Sequence, residues 1–457
     1  MTQPTLFADD VPVPQPSAPP VNPAPVGSPR LRPIERQQVE MRSASLDQLL
    51  TPDHSARVVW AFVANSDSTP LLKSIKAVAG HVGRDANDPR VLLALWLFAT
   101  LDGVGSAREL DRLCREHMAY QWLCGGMSVN YHSLADFRTQ QVDYLDQLLT
   151  DGVATLLHEG LVELQQVAQD GMRVRASAGA ASFRREPSLQ ACLAEAEQQV
   201  AALKNQLDED DGAATRRQQA ARARAAQERL ERVQQALAQR QKLLELREQQ
   251  KAEKGAKFEP AKLRASTTDP EARAMKMPDG GTRPAYNFEF ATTTGSGIVV
   301  GVDVTNSGSD CGQLGPMLEQ LQERYEELPE AMLVDGGFTT HADIETAHAA
   351  DVDVYGPIKE EKKQLAEGKN PYERKQRDGD GVAAWRERMG TDAAKVLYRL
   401  RASTAEWTNA QARNRGLYQV RVRGQRKVLA VALLYALAHN LARAEALRQA
   451  RAQAAKS

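Results

Sequence analysis

Residues 187–250 are rich in Ala, Gln, Glu, Arg and Leu, and Leu189, Leu193, Ala196, Val200, Leu203 and Leu207 recur at alternating spacings of four and three. That spacing holds one apolar seam toward a partner helix, as in a coiled coil. The acidic run 208–212 interrupts the seam, and Leu230, Val233, Leu237 and Leu244 continue it. The segment therefore predicts an antiparallel helical hairpin with an acidic tip, most simply a structural or dimerising element. On both sides of it the hydrophobic period is two. Met172, Val174 and Ala176 alternate with Arg173, Arg175 and Ser177 before it; Tyr286, Phe288 and Phe290 alternate with Asn287, Glu289 and Ala291 after it. Residues 298–304 form another apolar run beyond the Gly295-Ser296-Gly297 turn. Such segments read as strands. A helical hairpin lying between strands is an insert, so the fold is a sheet that tolerates a long excursion after its first strand.

The order downstream narrows the choice. A helix over 313–325 leads to a buried strand at 331–334, which runs into Asp335, Gly336 and Gly337; a helix over 342–350 leads to a strand at 352–355. Residues 359–381, charged and glycine-bearing, read as a mobile loop, and two helices over 393–412 and 428–450 close the chain. Three leading strands followed by helix-linked ones give an α+β, ribonuclease-H-like catalytic domain. In that scaffold the ends of adjacent strands bring distant carboxylates together. Asp170 beside the first strand and Asp335 at the end of the fourth hold such positions, each followed by glycine. Glu406 is the candidate third acid, being the one acidic residue between Lys395 and Lys427. Three carboxylates can hold two Mg²⁺ ions about 4 Å apart for in-line displacement at a phosphodiester. The competing explanation for a strand-end Asp is a turn or cap. The basic residues around Glu406, including Arg413, Arg415, Arg421 and Arg423, suit either a solvated face or a phosphate backbone.

The remaining segments set the boundaries. Ten of the 22 prolines fall in the first 33 residues, so 1–36 reads as a disordered arm. Residues 37–160 read as a helical module: Asp88 and Pro89 start one helix, Ser106 with Glu109 another, and Ser133 with Asp136 a third reaching residue 157. Short helices broken by glycine turns suit a DNA reader or a plain bundle. The catalytic domain then comprises 161–186 and 258–445, split by the insert 187–257, with a tail at 446–457. With 58 basic and 59 acidic residues the formal charge is -1, so any nucleic-acid contact must come from local segregation of charge. Cys114, Cys124, Cys192 and Cys311 include no C-x-x-C pair, which fits a reducing compartment. The apolar runs 91–101 and 428–438 are shorter than the roughly 20 residues of a membrane helix, so no membrane association is expected. No secretion signal is seen at the N-terminus.

Several stretches carry a resemblance: 167–180 (VAQDGMRVRASAGA), 266–273 (STTDPEAR), 301–313, 333–338 (LVDGGF) and 398–413. They resemble DDE transposases of bacterial insertion sequences, in particular the eleven-eighty-two branch related to the insertion-sequence-four and -five groups. The likeness spans residues 40 to 445 and favours DNA reading for the helical module, through Asn130, Tyr131, His132, Ser133, Asp136, Phe137 and Arg138. The family's third-acid motif is Tyr, two residues, Arg, a short gap, Glu, six residues and a basic residue. Tyr398, Arg401, Glu406 and Arg413 match it, with Arg in the last place and four residues between Arg401 and Glu406 where the general pattern has three. A helix shifted by one residue turns about 100° and presents a different face, which bears on the role of Arg413 more than on that of Glu406.

The resemblance implies metal-dependent cleavage at the ends of a mobile element and transfer of the freed 3′ hydroxyl into target DNA. Asp170, Asp335 and Glu406 would be the metal ligands for Mg²⁺, with Mn²⁺ a substitute, and Tyr398, Arg401 and Arg413 would hold terminal phosphates or bases. Partners would be element ends with inverted repeats and target DNA, the active form a homodimer, and the location the cytoplasm, on the nucleoid. A structure-specific nuclease of the same fold and a captured, inactive DNA binder are the alternatives. Asp269 and Asp310 are also family-like, although helix capping accounts for Asp310 as well. Trp407 could stack on a base or pack in the core. Gly295, Gly297 and Gly301 imitate a dinucleotide fingerprint without the helix it needs, and His341 and His348 lack a third metal ligand.

Overall fold

A computed structural model describes residues 43, 45–78, 80, 85–207, 213–254 and 258–456. The proline-rich arm and the acidic tip at 208–212 lie outside the described residues. Among the described residues seven α-helices precede the sheet: α1 (Ser55–Asn65), α2 (Thr69–Lys73), α3 (Pro89–Leu101), α4 (Ala107–Glu116), α5 (Met118–Cys124), α6 (Tyr131–Gln140) and α7 (Val142–His158). Their starts follow local chemistry. The Asp88 carboxylate accepts from the Arg90 amide at 2.9 Å, with Pro89 in the first turn, and the Ser106 hydroxyl accepts from the Glu109 amide at 3.4 Å. Asn130, not Ser133, caps the third start, accepting from the amides of His132 and Ser133; the expected single long helix is two, broken at Gln141. α3 is buried on nearly every side, and Trp96 donates to the Leu134 carbonyl at 2.9 Å while the Arg138 guanidinium covers its ring.

The sheet follows: β1 (Gln166–Arg175), then β2 (Phe183–Arg184), the helices α8 (Glu186–Leu207) and α9 (Ala213–Lys254), β3 (Ala265–Ser266), β4 (Arg273–Lys276), β5 (Thr282–Thr293) and β6 (Val299–Thr305). α8 and α9 pack on each other antiparallel: Arg229 pairs with Glu195 midway along α8 and Arg240 with Glu186 near the base, around buried Leu189, Ala196, Val233 and Ala236. Beneath them β2 and β3 pair antiparallel, which closes the neck and returns the chain to the sheet. α10 (Leu314–Tyr325), β7 (Ala331–Leu333), α11 (His341–Ala349) and β8 (Asp353–Tyr355) complete it. β6, β5, β1, β7 and β8 lie side by side, with β4 extending the β6 edge of β5. The first three of that row are antiparallel and the last three parallel. This mixed order is the ribonuclease-H-like one.

Residues 359–381, expected to form a mobile loop, contain the helix α12 (Glu361–Ala366) and an enclosed ion pair, Arg386 Nε to Asp378 Oδ2 at 2.7 Å. That pair anchors α13 (Asp380–Met389), and α14 (Asp392–Tyr398) leads by a π turn (Ala402–Glu406) into α15 (Trp407–Asn414). The last helix, α16 (Gln425–Ala454), takes up most of the expected tail. It is long and apolar enough to cross a membrane, which the eleven-residue run in the sequence did not indicate, but most of its apolar window is buried between α3, α7 and β6. Asn440 brackets Val299, accepting from its amide at 2.8 Å and donating to its carbonyl at 2.7 Å.

His439 lies in the same contact, one ring nitrogen 2.9 Å from the Gly297 carbonyl. Burial pushes this imidazole down to about 4, opposed by the Gly297 carbonyl and assisted by Arg415 and Arg443. An unfolded chain takes up this proton near 6.5 and the folded one only near 4, so stability is full above 6.5 and falls as pH drops across that window, by about 3 kcal/mol at most. Acid unfolding of His439→Gln, followed by circular dichroism, should lose that part of the pH dependence.

Candidate active site

Register sets two carboxylates side by side. β1 and β7 pair in parallel through Gln166 with Ala331, Val167 with Met332 and Ala168 with Leu333. Two residues beyond the last couple on each chain segment stand Asp170 and Asp335. Asp170 is thus not at the end of its own strand, since β1 runs on to Arg175; it lies where the partner strand stops, and a cleft opens there. Ala405 of the π turn packs on Ala168, Ala331 and Leu333, which carries Arg401 and Glu406 to the same cleft.

Arg401 bridges all three acids. Its Nη2 is 3.2 Å from Asp170 Oδ1 and 4.0 Å from Asp335 Oδ2, and its Nη1 is 3.4 Å from Glu406 Oε1. The π turn explains how Glu406 reaches it. A turn that closes on i→i+5 absorbs one extra residue, and Glu406 is five on from Arg401, so it comes back over the arginine despite the longer gap. Deleting Ser403, an exposed residue in that turn, should convert it to regular α-helix and keep the pair in reach. Inserting an alanine there should rotate Glu406 by about 100° and remove any activity that depends on it. DNA cleavage by the two variants checks this.

The site is graded in exposure: the Asp170 side chain is 16% exposed, Asp335 39% and Glu406 61%. Asp170 accepts from the Asn409 side-chain amide at 3.0 Å and from the Gly171 amide at 3.0 Å. Asp335 accepts from the Gly337 amide at 2.6 Å. Burial pushes the Asp170 carboxyl up to about 6; Arg401 holds it down, while Asp335 and Asp310 push it further up. One guanidinium therefore leaves the cleft short of positive charge. Tyr398 is half-buried beside it, its phenol pushed up by burial and held down by Arg401.

The other sequence-predicted residues divide. Arg421 and Arg423 are exposed, and Arg423 donates to the Ser177 carbonyl at 3.3 Å. Arg413 is half-buried on α15. Arg415 packs its backbone on Gly103 of the helical module and encloses Nη1 without a partner. Asp269 holds the start of α16 and is not in the cleft: its Oδ1 accepts from the Tyr286 hydroxyl at 2.8 Å and the Gly424 amide at 3.1 Å. The Trp407 ring is 37% exposed, edge-on to His439 and under the Arg443 guanidinium. His341 and His348 are exposed.

Residues not anticipated for the site stand behind it. Asn409 is one; the others are Gln169, Asn287 and Glu289, all buried. The Asn287 amide donates to Glu289 Oε1 at 2.6 Å and to Asp310 Oδ1 at 2.7 Å, and Gln169 donates to Glu289 Oε2 at 3.4 Å. Burial, with Asp310 next, pushes the Glu289 carboxyl up to about 8. Among the described residues no three His, Cys, Asp or Glu side chains are grouped closely enough to cage a metal ion; the acids meet through Arg401. The donor set is all oxygen, which fits a hard divalent cation, and the buried amide oxygens of Gln169, Asn287 and Asn409 lack partners.

Residues 44–140 match the family model described as Transposase domain (DUF772), and residues 260–441 match Transposase DDE domain. The chain carries a transposase DDE domain. Its mixed sheet and preceding helical region fit the ribonuclease-H-like fold of DDE transposases. The matched DDE domain holds Asp310, Asp335, Arg401 and Glu406, whereas Asp170 lies upstream of it, across α8 and α9. A transposase domain of this kind has DNA as its partner. Neither the curated proteins nor the solved structures gave a match.

Proposed function

We propose that this chain is the transposase of an insertion sequence, with Asp170, Asp335 and Glu406 as the ligands of Mg²⁺ or Mn²⁺. The observation that supports this most is the convergence of the three carboxylates on one guanidinium at the edge where β7 stops. Bound divalent cations would supply Lewis acidity toward the attacking and departing oxygens. The chain's own residues orient the reactants. Asn409 and the Gly171 amide fix Asp170, the Gly337 amide fixes Asp335, and the π turn aims Glu406. In the first reaction a water oxygen bonds to phosphorus and the bond to the 3′ oxygen breaks, which leaves a 3′ hydroxyl and a 5′ phosphate. In the second, that hydroxyl attacks a target phosphodiester and releases a target 3′ hydroxyl.

Arg401, Tyr398 and Arg413 would hold the terminal phosphates, with Arg415, Arg421 and Arg423 on the DNA path, and the helical module would read the element ends. Among the described residues Arg421 and Arg423 hold no ion pair, so they can add phosphate contacts without giving one up. A homodimer would bring two ends together. The test is incubation of the full chain with a duplex bearing the inverted repeats that flank its own gene, a plasmid target and Mg²⁺. Joined end–plasmid product is expected. Nicking with no joined product would favour a nuclease, and binding without nicking a captured DNA binder.

A further inference from the structure

Asp310 lies between the two aspartates and does not cap a helix. α10 begins at Leu314 with Gln313 in the cap position and no side-chain cap bond. The Asp310 carboxylate instead faces the two glycines that follow the strand acids. A Cβ placed on Gly171 would lie 2.6 Å from Asp310 Oδ1, and one placed on Gly337 would lie 3.0 Å from Asp310 Oδ2 and 2.9 Å from Asp335 Oδ1. Any side chain at Gly171 would drive this carboxylate out, so glycine there serves close approach of an acid and not a turn. Asp335 and Asp310 therefore present oxygens to one small volume.

An independent feature points to a ligand in that volume. Asn287 is fully buried on β5, its amide nitrogen held by Glu289 and Asp310, and its Oδ1 has no partner. That oxygen lies 3.0 Å from the same Gly171 Cβ position, so it is aimed at the gap beside Asp310. An enclosed amide oxygen without a donor is costly to leave unmatched. Asp170, Asp335 and Glu406 meet one arginine and Asp310 adds a further acid beside them, so further positive charge is what the arrangement lacks.

We propose that Asp310 is a fourth carboxylate ligand of the divalent cation, presented by Asn287, which acts as a positioning residue. This rests on the reading of Asp170, Asp335 and Glu406 as metal ligands. Mg²⁺ and Ca²⁺ sites are built from carboxylate and amide oxygens of this kind, and Asp310 brings a donor from the β6–α10 connection, an element that the three-acid motif does not include.

The test is Mn²⁺ binding to the full chain without DNA, read by the loss of free-Mn²⁺ electron paramagnetic resonance signal and by calorimetry. Asp310→Asn keeps the acceptor that Asn287 needs, so the fold is preserved, and circular dichroism checks this; Asp310→Ala is the second variant. Both should weaken Mn²⁺ binding about tenfold or more, and Asn287→Ala should weaken it less, while Asp279→Asn, an exposed acid on the β4–β5 turn, should not. If Asp170→Asn and Asp335→Asn weaken binding but both Asp310 variants bind like the parent, the Asp310 assignment is overturned and the three-acid site stands. If none of these substitutions alters binding, both assignments fall.

Discussion

Asp335→Asn is expected to lower Mg²⁺-dependent cleavage of an element end by about 10³-fold or more while leaving end binding within about twofold. A cation acting on the attacking or leaving oxygen supplies several kcal/mol of transition-state stabilisation, and each 1.36 kcal/mol is tenfold in rate. The amide keeps the shape of the carboxylate and can still accept from the Gly337 amide, so the local fold is retained. DNA affinity rests mainly on phosphate contacts with basic side chains, none of which this substitution removes. Asp170→Asn should behave in the same way, with one difference. Asp170 is the most enclosed of the three and is the carboxylate that Arg401 faces at 3.2 Å, so its neutral replacement should also leave that guanidinium short of a partner and make the metal-free protein less stable. Single-turnover cleavage, filter binding and thermal unfolding separate these effects.

The second large effect concerns Arg401. In the metal-free protein its guanidinium, 13% exposed, provides the positive charge that Asp170 faces at 3.2 Å. Removing one partner of an enclosed ion pair typically costs about 3–5 kcal/mol, because the other charge is left unmatched. Its contact with Glu406 adds little, since that carboxylate is mostly exposed and water screens the pair. Arg401→Gln should therefore destabilise the metal-free protein by about 3 kcal/mol. Millimolar Mn²⁺ should restore most of that loss, because a dication supplies the missing charge, and should stabilise the parent far less. Thermal unfolding with and without Mn²⁺ measures the difference. An equal response of parent and variant to Mn²⁺ would mean that Arg401 and the cation do not share these carboxylates.

The sequence made the strand order legible because the switch between a period of two and a helical one survives a long insert. Asp170 and Asp335 could be picked out because each adjoins a strand and is followed by glycine. Three things could not be read there. The extra residue between Arg401 and Glu406 suggested a shift of helical face that bears on Arg413 more than on Glu406, since helical phase is counted at 3.6 residues per turn; a π turn is a local departure from that count with no composition of its own. The alternation of Asn287 and Glu289 with Tyr286 and Phe288 marked a strand without saying what covers its polar face. β5 is central, with β1 on one side and β4 and β6 on the other, and both its faces are covered. Polar residues on a strand with two buried faces line a site, and only the tertiary neighbours reveal which case applies. Asp310 was hidden for a similar reason: an acid shortly before a helix reads as a cap until the hydrogen bonds show where the carboxylate points.

The most direct measurement is the anomalous scattering of Mn²⁺ in crystals of the full chain bound to an end duplex. Mn²⁺ density is expected within about 2.3 Å of carboxylate oxygens of Asp170 and Asp335, with Glu406 completing the shell and Arg401 turned toward phosphate. Mn²⁺ bound elsewhere, with Arg401 still bridging the three acids in the presence of DNA, would contradict it.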